Sequence, residues 1–223
     1  MSKRLRNCIR GKIPKVDAVR DVLSGIDPEE VRKIHEETVD TLKKNRIFRE
    51  GTIGGYVVAG INGVELFSST KKSCPGCLTR KNRAGETEYF HRSVVCMTVG
   101  KAPHVILGQE SGKKAERWMW LVTTLEQTAP GILWEMMNRR WDIEENGFHQ
   151  LKTYYHAKHC YCHAAVEVIF NLMIIGFNMR ELYLYRRIQR FEGSGITRKS
   201  VSRIFRDDLL TEKVKKILYQ KGG

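Results

Sequence analysis

The sequence predicts an α/β fold: a mixed sheet flanked by helices, with helical segments at the N- and C-terminal ends. Apolar positions recur at helical spacing over 17–45, β-rich runs replace them between 56 and 108, and helical spacing returns after 130. The chain has 223 residues, 41% of them hydrophobic, enough to bury a core and too apolar for disordered or fibrous classes. No stretch holds the roughly 18–20 uninterrupted apolar residues of a spanning helix. The nearest, 164–177, carries Glu167 and Asn171. The start Met1-Ser2-Lys3-Arg4-Leu5-Arg6 is basic, with no apolar secretory segment behind it. The expectation is a cytoplasmic protein with no membrane partner.

Two short helices open the pattern. Val16, Val19, Val22 and Leu23 keep helical spacing, and Asp27-Pro28-Glu29-Glu30 offers an N-cap, a proline at the first helical position and acids in the first turn. Tyr56-Val57-Val58-Ala59-Gly60-Ile61 and Val64-Glu65-Leu66-Phe67, separated by Asn62-Gly63, read as a β-hairpin with Asn62 at its tip or at a strand end. The polar stretch 71–88, punctuated by Cys74-Pro75-Gly76-Cys77, reads as a loop, and strands follow at about 89–99 and 104–108. Trp118-Met119-Trp120-Leu121-Val122-Thr123 is too short for periodicity to separate a buried strand from a helix turn, and the strand is the favoured reading. Over 130–155 Leu133, Met137, Trp141, Phe148 and Leu151 fall near one helical stripe, so that Trp141 joins Trp118 and Trp120 in the expected core. Arg140, Glu144, Phe148 and Lys152 are spaced four apart along one side. A long helix at about 163–188 is apolar on most faces in its first half, which makes it the expected central helix. Thr197 and Thr211 stand where N-caps of two tail helices belong.

Lys and Arg number 39 against 25 Asp and Glu, a formal charge of +14. A surface field of that sign attracts polyanions, of which nucleic acid is the most abundant in cytoplasm. Six cysteines in a reducing compartment point to thiols or metal ligands rather than bridges.

The segment Arg139-Arg140-Trp141-Asp142-Ile143-Glu144-Glu145-Asn146-Gly147-Phe148-His149-Gln150-Leu151-Lys152 resembles the signature around the last catalytic glutamate of DDE transposases of the insertion-sequence-four-like group, roughly R-W-x-I-E, then Phe, then Leu-Lys. The stretch 52–63 is similar to the strand carrying that family's first aspartate. Cys74 to Cys77, Glu88-Tyr89-Phe90-His91 and His159-Cys160-Tyr161-Cys162-His163 also look like its members. The resemblance implies a ribonuclease H-like sheet and a transposase that cuts and rejoins double-stranded DNA by in-line displacement with two Mg²⁺ ions. It further implies that Glu144 is a catalytic metal ligand and that Arg140 and Lys152 handle the DNA backbone. The expected organisation is a helical N-terminal segment (1–50), a ribonuclease H-like transposase domain (51–190) and a basic helical tail (191–223). In the tail Arg198, Lys199 and Arg203 stand ready to track phosphates. Further copies of the chain, or intact transposase copies, are the other expected partners.

Two departures bear on catalysis. Where the family has aspartate this chain has Asn62, whose amide offers one neutral carbonyl oxygen instead of a charged carboxylate. No Asp occurs between Asp40 and Asp142, so the strand carrying the second aspartate is missing and the domain reads as incomplete, internally deleted near 110–117. With two of three acids lost, the expectation is impaired catalysis, and the alternative is a non-enzymatic DNA-binding or oligomerising remnant. Separately, Cys74, Cys77, Cys160, Cys162 and His163 form a candidate tetrahedral zinc site, because thiolate and imidazole suit Zn²⁺. Reduced cysteines beside packing histidines are the plain rival.

Overall fold

Both expected N-terminal helices form, the second at its expected cap, in the computed structural model, which describes residues 15–111, 128–159, 161–191, 195–210 and 212. Helix α1 spans Val16–Ser24 and α2 spans Pro28–Lys44. The Asp27 carboxylate accepts the Glu29 N–H at 2.9 Å and Pro28 opens the first turn, so the orphan N–H groups of α2 are met by the residues that announced it. Val31, His35, Val39 and Leu42 form its buried face.

Four strands follow: β1 (Ala59–Ser69), β2 (Leu78–Lys81), β3 (Thr87–Thr98) and β4 (Ile106–Ser111). β3 is central, with β1 on one edge and β2 and β4 in succession along the other. Among the described residues every pairing is antiparallel, where the sequence predicted a mixed sheet. These strands are joined by turns and loops, and a parallel pair needs a long crossover. The chain is thus a mixed α/β protein built on a small antiparallel sheet.

Asn62-Gly63 is not a hairpin tip. Both residues lie inside β1, paired with Val95 and Val94 of β3. The apolar runs on either side of the dipeptide both find a partner in the longer β3, which removes the reason for them to fold back on each other. Beyond Glu65 one extra residue is inserted in β1, so that Glu65 faces Arg92 but Ser68 faces Phe90. The bulge lets the consecutive residues Leu66 and Phe67 both be buried. The stretch expected to be a loop also contains β2. It pairs with the start of β3 across a turn in which the Asn82 carboxamide oxygen accepts the N–H groups of Ala84 at 3.0 Å and Glu86 at 2.9 Å.

The second half is helical from α3 (Pro130–Asn138) through a 3₁₀ turn (Arg139–Trp141), a π-helix (Ile143–Phe148) and α4 (His149–Tyr154). A π turn accommodates more residues than an α turn. Ile143 and Phe148, five apart, are therefore both buried together with Leu151. The predicted straight stripe fails at its N-terminal side: Trp141 is 53% exposed and Met137 55% exposed, because the 3₁₀ turn rotates them off the core. Trp118, Trp120 and the expected strand around them lie outside the described residues, as does Thr211. Gly147 admits the close approach of the π-helix to β3, since a Cβ there would lie 2.9 Å from Met97 Sδ.

The long helix forms as α5 (Val166–Phe191), followed by α6 (Arg198–Leu209), whose first turn is capped by Thr197 Oγ1 accepting from Ser200 N at 3.2 Å. Phe170, Ile174 and Phe177 of α5 join Val64, Leu66, Val95, Met97, Ile106, Ile143, Phe148 and Leu151 in one core between sheet and helices. No helix among the described residues is long and apolar enough to cross a membrane.

The α5 surface facing β4 is polar. The Asn178 carboxamide accepts Ile106 N–H and donates to Ile106 C=O, both at 2.8 Å, much as a neighbouring strand would, and closes that edge. His35 Nε2 of α2 meets the same carbonyl at 2.9 Å. Burial holds the His35 imidazole below its ordinary value, against the smaller opposing effect of that carbonyl. The folded state therefore takes up the proton less readily than the unfolded chain. Its contribution to stability is complete above the unfolded pKa of about 6.5 and declines as pH falls toward the depressed folded value. Urea unfolding followed from neutral to mildly acidic pH should show this loss, and His35→Asn should flatten the dependence.

Candidate functional site

Asn62 shares its face of β1 with the buried Val64 and Leu66 and so points toward the π-helix. Its Nδ2 donates to Glu144 Oε1 at 2.9 Å, and its Oδ1 accepts the Gly63 N–H at 2.7 Å. Arg140 Nη1, one turn earlier, lies 3.6 Å from the same Glu144 oxygen, and its guanidinium stacks 4.3 Å from the Trp141 ring centroid. Stacking on exposed Trp141 explains what that residue does outside the core. Glu144 is 39% exposed and Arg140 23%, so the group sits at the surface, half sheltered between sheet and helix. Lys152 is half-buried over Phe148, its ammonium 5.9 Å from the ring centroid. The structure thus brings Asn62, Arg140 and Glu144 together, with Lys152 two turns on.

Other acids nearby are engaged elsewhere. Asp142 Oδ2 accepts the Gly100 N–H at 2.9 Å. Glu65 lies between Arg80 Nη1 at 2.9 Å and Arg92 Nη2 at 3.0 Å. Burial works to raise its pKa, but the two guanidinium groups outweigh it and hold the carboxyl below its ordinary range. For magnesium the fit is poor. Mg²⁺ is held through one or two carboxylates plus substrate oxygens, whereas here the one carboxylate oxygen facing β1 already accepts an amide N–H and faces a guanidinium. These residues do not make a Mg²⁺ site.

A second cluster lies at the bulge end of the sheet. Cys74 and Cys77, in the turn before β2, place their sulfurs 3.5 Å apart. His91 Nε2 of β3 is 3.2 Å from Cys74 Sγ and 3.3 Å from Cys77 Sγ, and His163 Nδ1, ahead of α5, is 3.7 Å from Cys77 Sγ. One ligand atom from each of the four lies within 4.8 Å of the others, a grouping able to hold a metal such as zinc. Burial, then the His163 ring, holds His91 below its ordinary pKa; burial, then Lys72, does the same for His163. Neutral imidazoles keep a lone pair for a metal.

This set corrects the sequence reading. Cys162 is not part of the cluster: its thiol faces Ser24 Oγ at 3.6 Å, because neighbouring residues in non-helical backbone project to different sides. Cys160 lies outside the described residues. His91 was missed, although its signal was present. It follows Cys77 by 14 positions, within the interval at which a histidine follows a C-x-x-C knuckle.

Of the other expected DNA-binding residues, Arg203 is exposed on α6, while the side chains of Arg198 and Lys199 lie outside the described part. No family model matches this chain, and no curated protein or solved structure does either.

Proposed function

We propose that the protein is an insertion-sequence transposase of the DDE type by descent, on an incomplete ribonuclease H-like fold, which binds double-stranded DNA and is catalytically impaired in this copy. The hydrogen bond between Asn62 and Glu144 carries this reading. Two positions 82 residues apart, singled out by separate motifs, share one site with Arg140. Chance surface residues have no reason to converge so. In-line displacement at phosphorus needs oxygens that stabilise the entering and leaving groups. An amide and one carboxylate, already bonded to each other, supply little of that.

What remains is an excess of positive charge. Arg140, Lys152 and Arg203, with a formal charge of +14, favour contact with the phosphate backbone. The Asn62 substitution favours a remnant that occupies DNA, or associates with further copies or intact transposase, without cutting. Binding to a short duplex should weaken steeply with salt, log K falling by about 0.9 per phosphate neutralised for each unit of log salt. Salt-insensitive binding would contradict the DNA reading. In a plasmid assay with Mg²⁺ or Mn²⁺, nicking should stay at the level of Glu144→Ala; nicking that this substitution abolishes would show that catalysis survives.

A further inference from the structure

We propose that Cys74, Cys77, His91 and His163 bind one Zn²⁺ ion as a four-coordinate structural centre, a Cys₂His₂ staple joining the turn before β2, strand β3 and the approach to α5. The argument begins with donor chemistry. Two thiols and two imidazoles, with only nitrogen and sulfur ligand atoms, are the set that favours zinc over Mg²⁺ or Ca²⁺.

Distances decide between a chance grouping and a site. For zinc–sulfur bonds of about 2.3 Å and zinc–nitrogen bonds of about 2.0–2.1 Å at tetrahedral angles, ligands stand about 3.8 Å apart for S···S and about 3.6 Å for S···N. The observed separations are 3.5 Å for S···S and 3.2, 3.3 and 3.7 Å for S···N. These four of the six edges lie within about 0.4 Å of the ideal, and the other two, from His163 to Cys74 and to His91, stay within 4.8 Å. Ordinary packing of a histidine against a cysteine pair does not require one ring nitrogen to face both sulfurs.

The surroundings fit a fixed centre. Phe67, buried by the bulge in β1, packs against both rings, with centroids 5.2 Å from His91 and 4.6 Å from His163. A cavity of about 440 Å³, lined by Cys74, Pro75, His91 and His163 among others, gives the ion a path in. Four protein ligands leave no open position for substrate, so the centre stabilises and does not catalyse. It fastens a turn and a pre-helical segment that carry little regular structure of their own. The inference is independent of the DNA reading.

The test is metal content of the full chain, purified after expression with zinc and dialysed against metal-free buffer. One zinc per chain is expected, falling more than tenfold in Cys74→Ser and in His91→Ala but unchanged in Cys162→Ser. Should the ligand variants fail to fold, Co²⁺ added to metal-stripped wild-type chain decides. Intense visible bands of a tetrahedral thiolate centre support the site, whereas a weak octahedral spectrum overturns it. Folded wild-type protein with less than a tenth of an equivalent after zinc loading also overturns it, as does equal loss of zinc in Cys162→Ser and Cys74→Ser.

Discussion

Arg180→Ala is expected to destabilise the fold by about 3–5 kcal/mol, the cost typical of removing one partner from a buried ion pair. The Arg180 side chain is 2% exposed and that of Glu181 6%, with Nη1 3.2 Å from Glu181 Oε1. The same guanidinium donates to Gln150 Oε1 of α4 and, through Nε at 2.9 Å, to Ser202 Oγ of α6, and it stacks 5.0 Å from the Tyr154 ring centroid. One side chain therefore ties α4, α5 and α6 together. Truncation takes the guanidinium away from a buried carboxylate and opens a void among three helices. Urea unfolding should show a lower midpoint with little change in slope. A double replacement, Arg180→Met with Glu181→Leu, should recover most of the loss, because burying two charges is itself costly. If the single and double variants fall equally, the hydrogen bonds of the guanidinium to Gln150 and Ser202, rather than the packing volume that the methionine restores, are what Arg180 contributes.

The contrast between these residues and the rest shows what the amino-acid order reveals. Asp27-Pro28 announced α2 because a cap acts on its own neighbours, within reach of any local reading. Asn62-Gly63 misled for the same reason. The dipeptide favours a turn locally, but the outcome was set by β3, some thirty positions away, which offered both flanks a better partner. The π-helix was hidden because the pattern was read at a spacing of four, while Ile143 and Phe148 stand five apart, the spacing a wider turn needs. Arg180 could not be recognised as buried, since only the convergence of three helices gives a charged side chain enough partners. For the site, the Glu144 motif was visible through resemblance, but its contact with Asn62 depends on the antiparallel sheet and the packing of Gly147 on Met97. His91 was visible by spacing, and was obscured by Cys162 next to His163, whose thiol turns instead to Ser24 through a register that only the folded chain fixes.

Asn62→Asp should turn the Asn62–Glu144 contact from an attraction into a repulsion that a divalent cation relieves. In the wild-type chain the amide N–H at 2.9 Å satisfies Glu144 Oε1, and hydrogen bonds to charged groups contribute about 1.5–3 kcal/mol. An aspartate removes that donor and sets a second carboxylate at the same distance. Partial exposure and Arg140 at 3.6 Å soften the effect, so a loss of about 1–2 kcal/mol at neutral pH without divalent ions is expected. Two carboxylates facing each other then supply the hard oxygens that one did not, and a cation at 100 times its dissociation constant would return about 2.7 kcal/mol. Thermal unfolding with EDTA and with Mg²⁺ or Mn²⁺ at matched ionic strength checks this. The variant should gain stability with the cation while the wild-type chain does not, and Asn62→Asp/Glu144→Gln should lose the gain. A variant as indifferent to divalent ions as the wild type would mean that the two positions do not face a common ion, and the proposed descent from a metal-dependent nuclease would lose its physical basis.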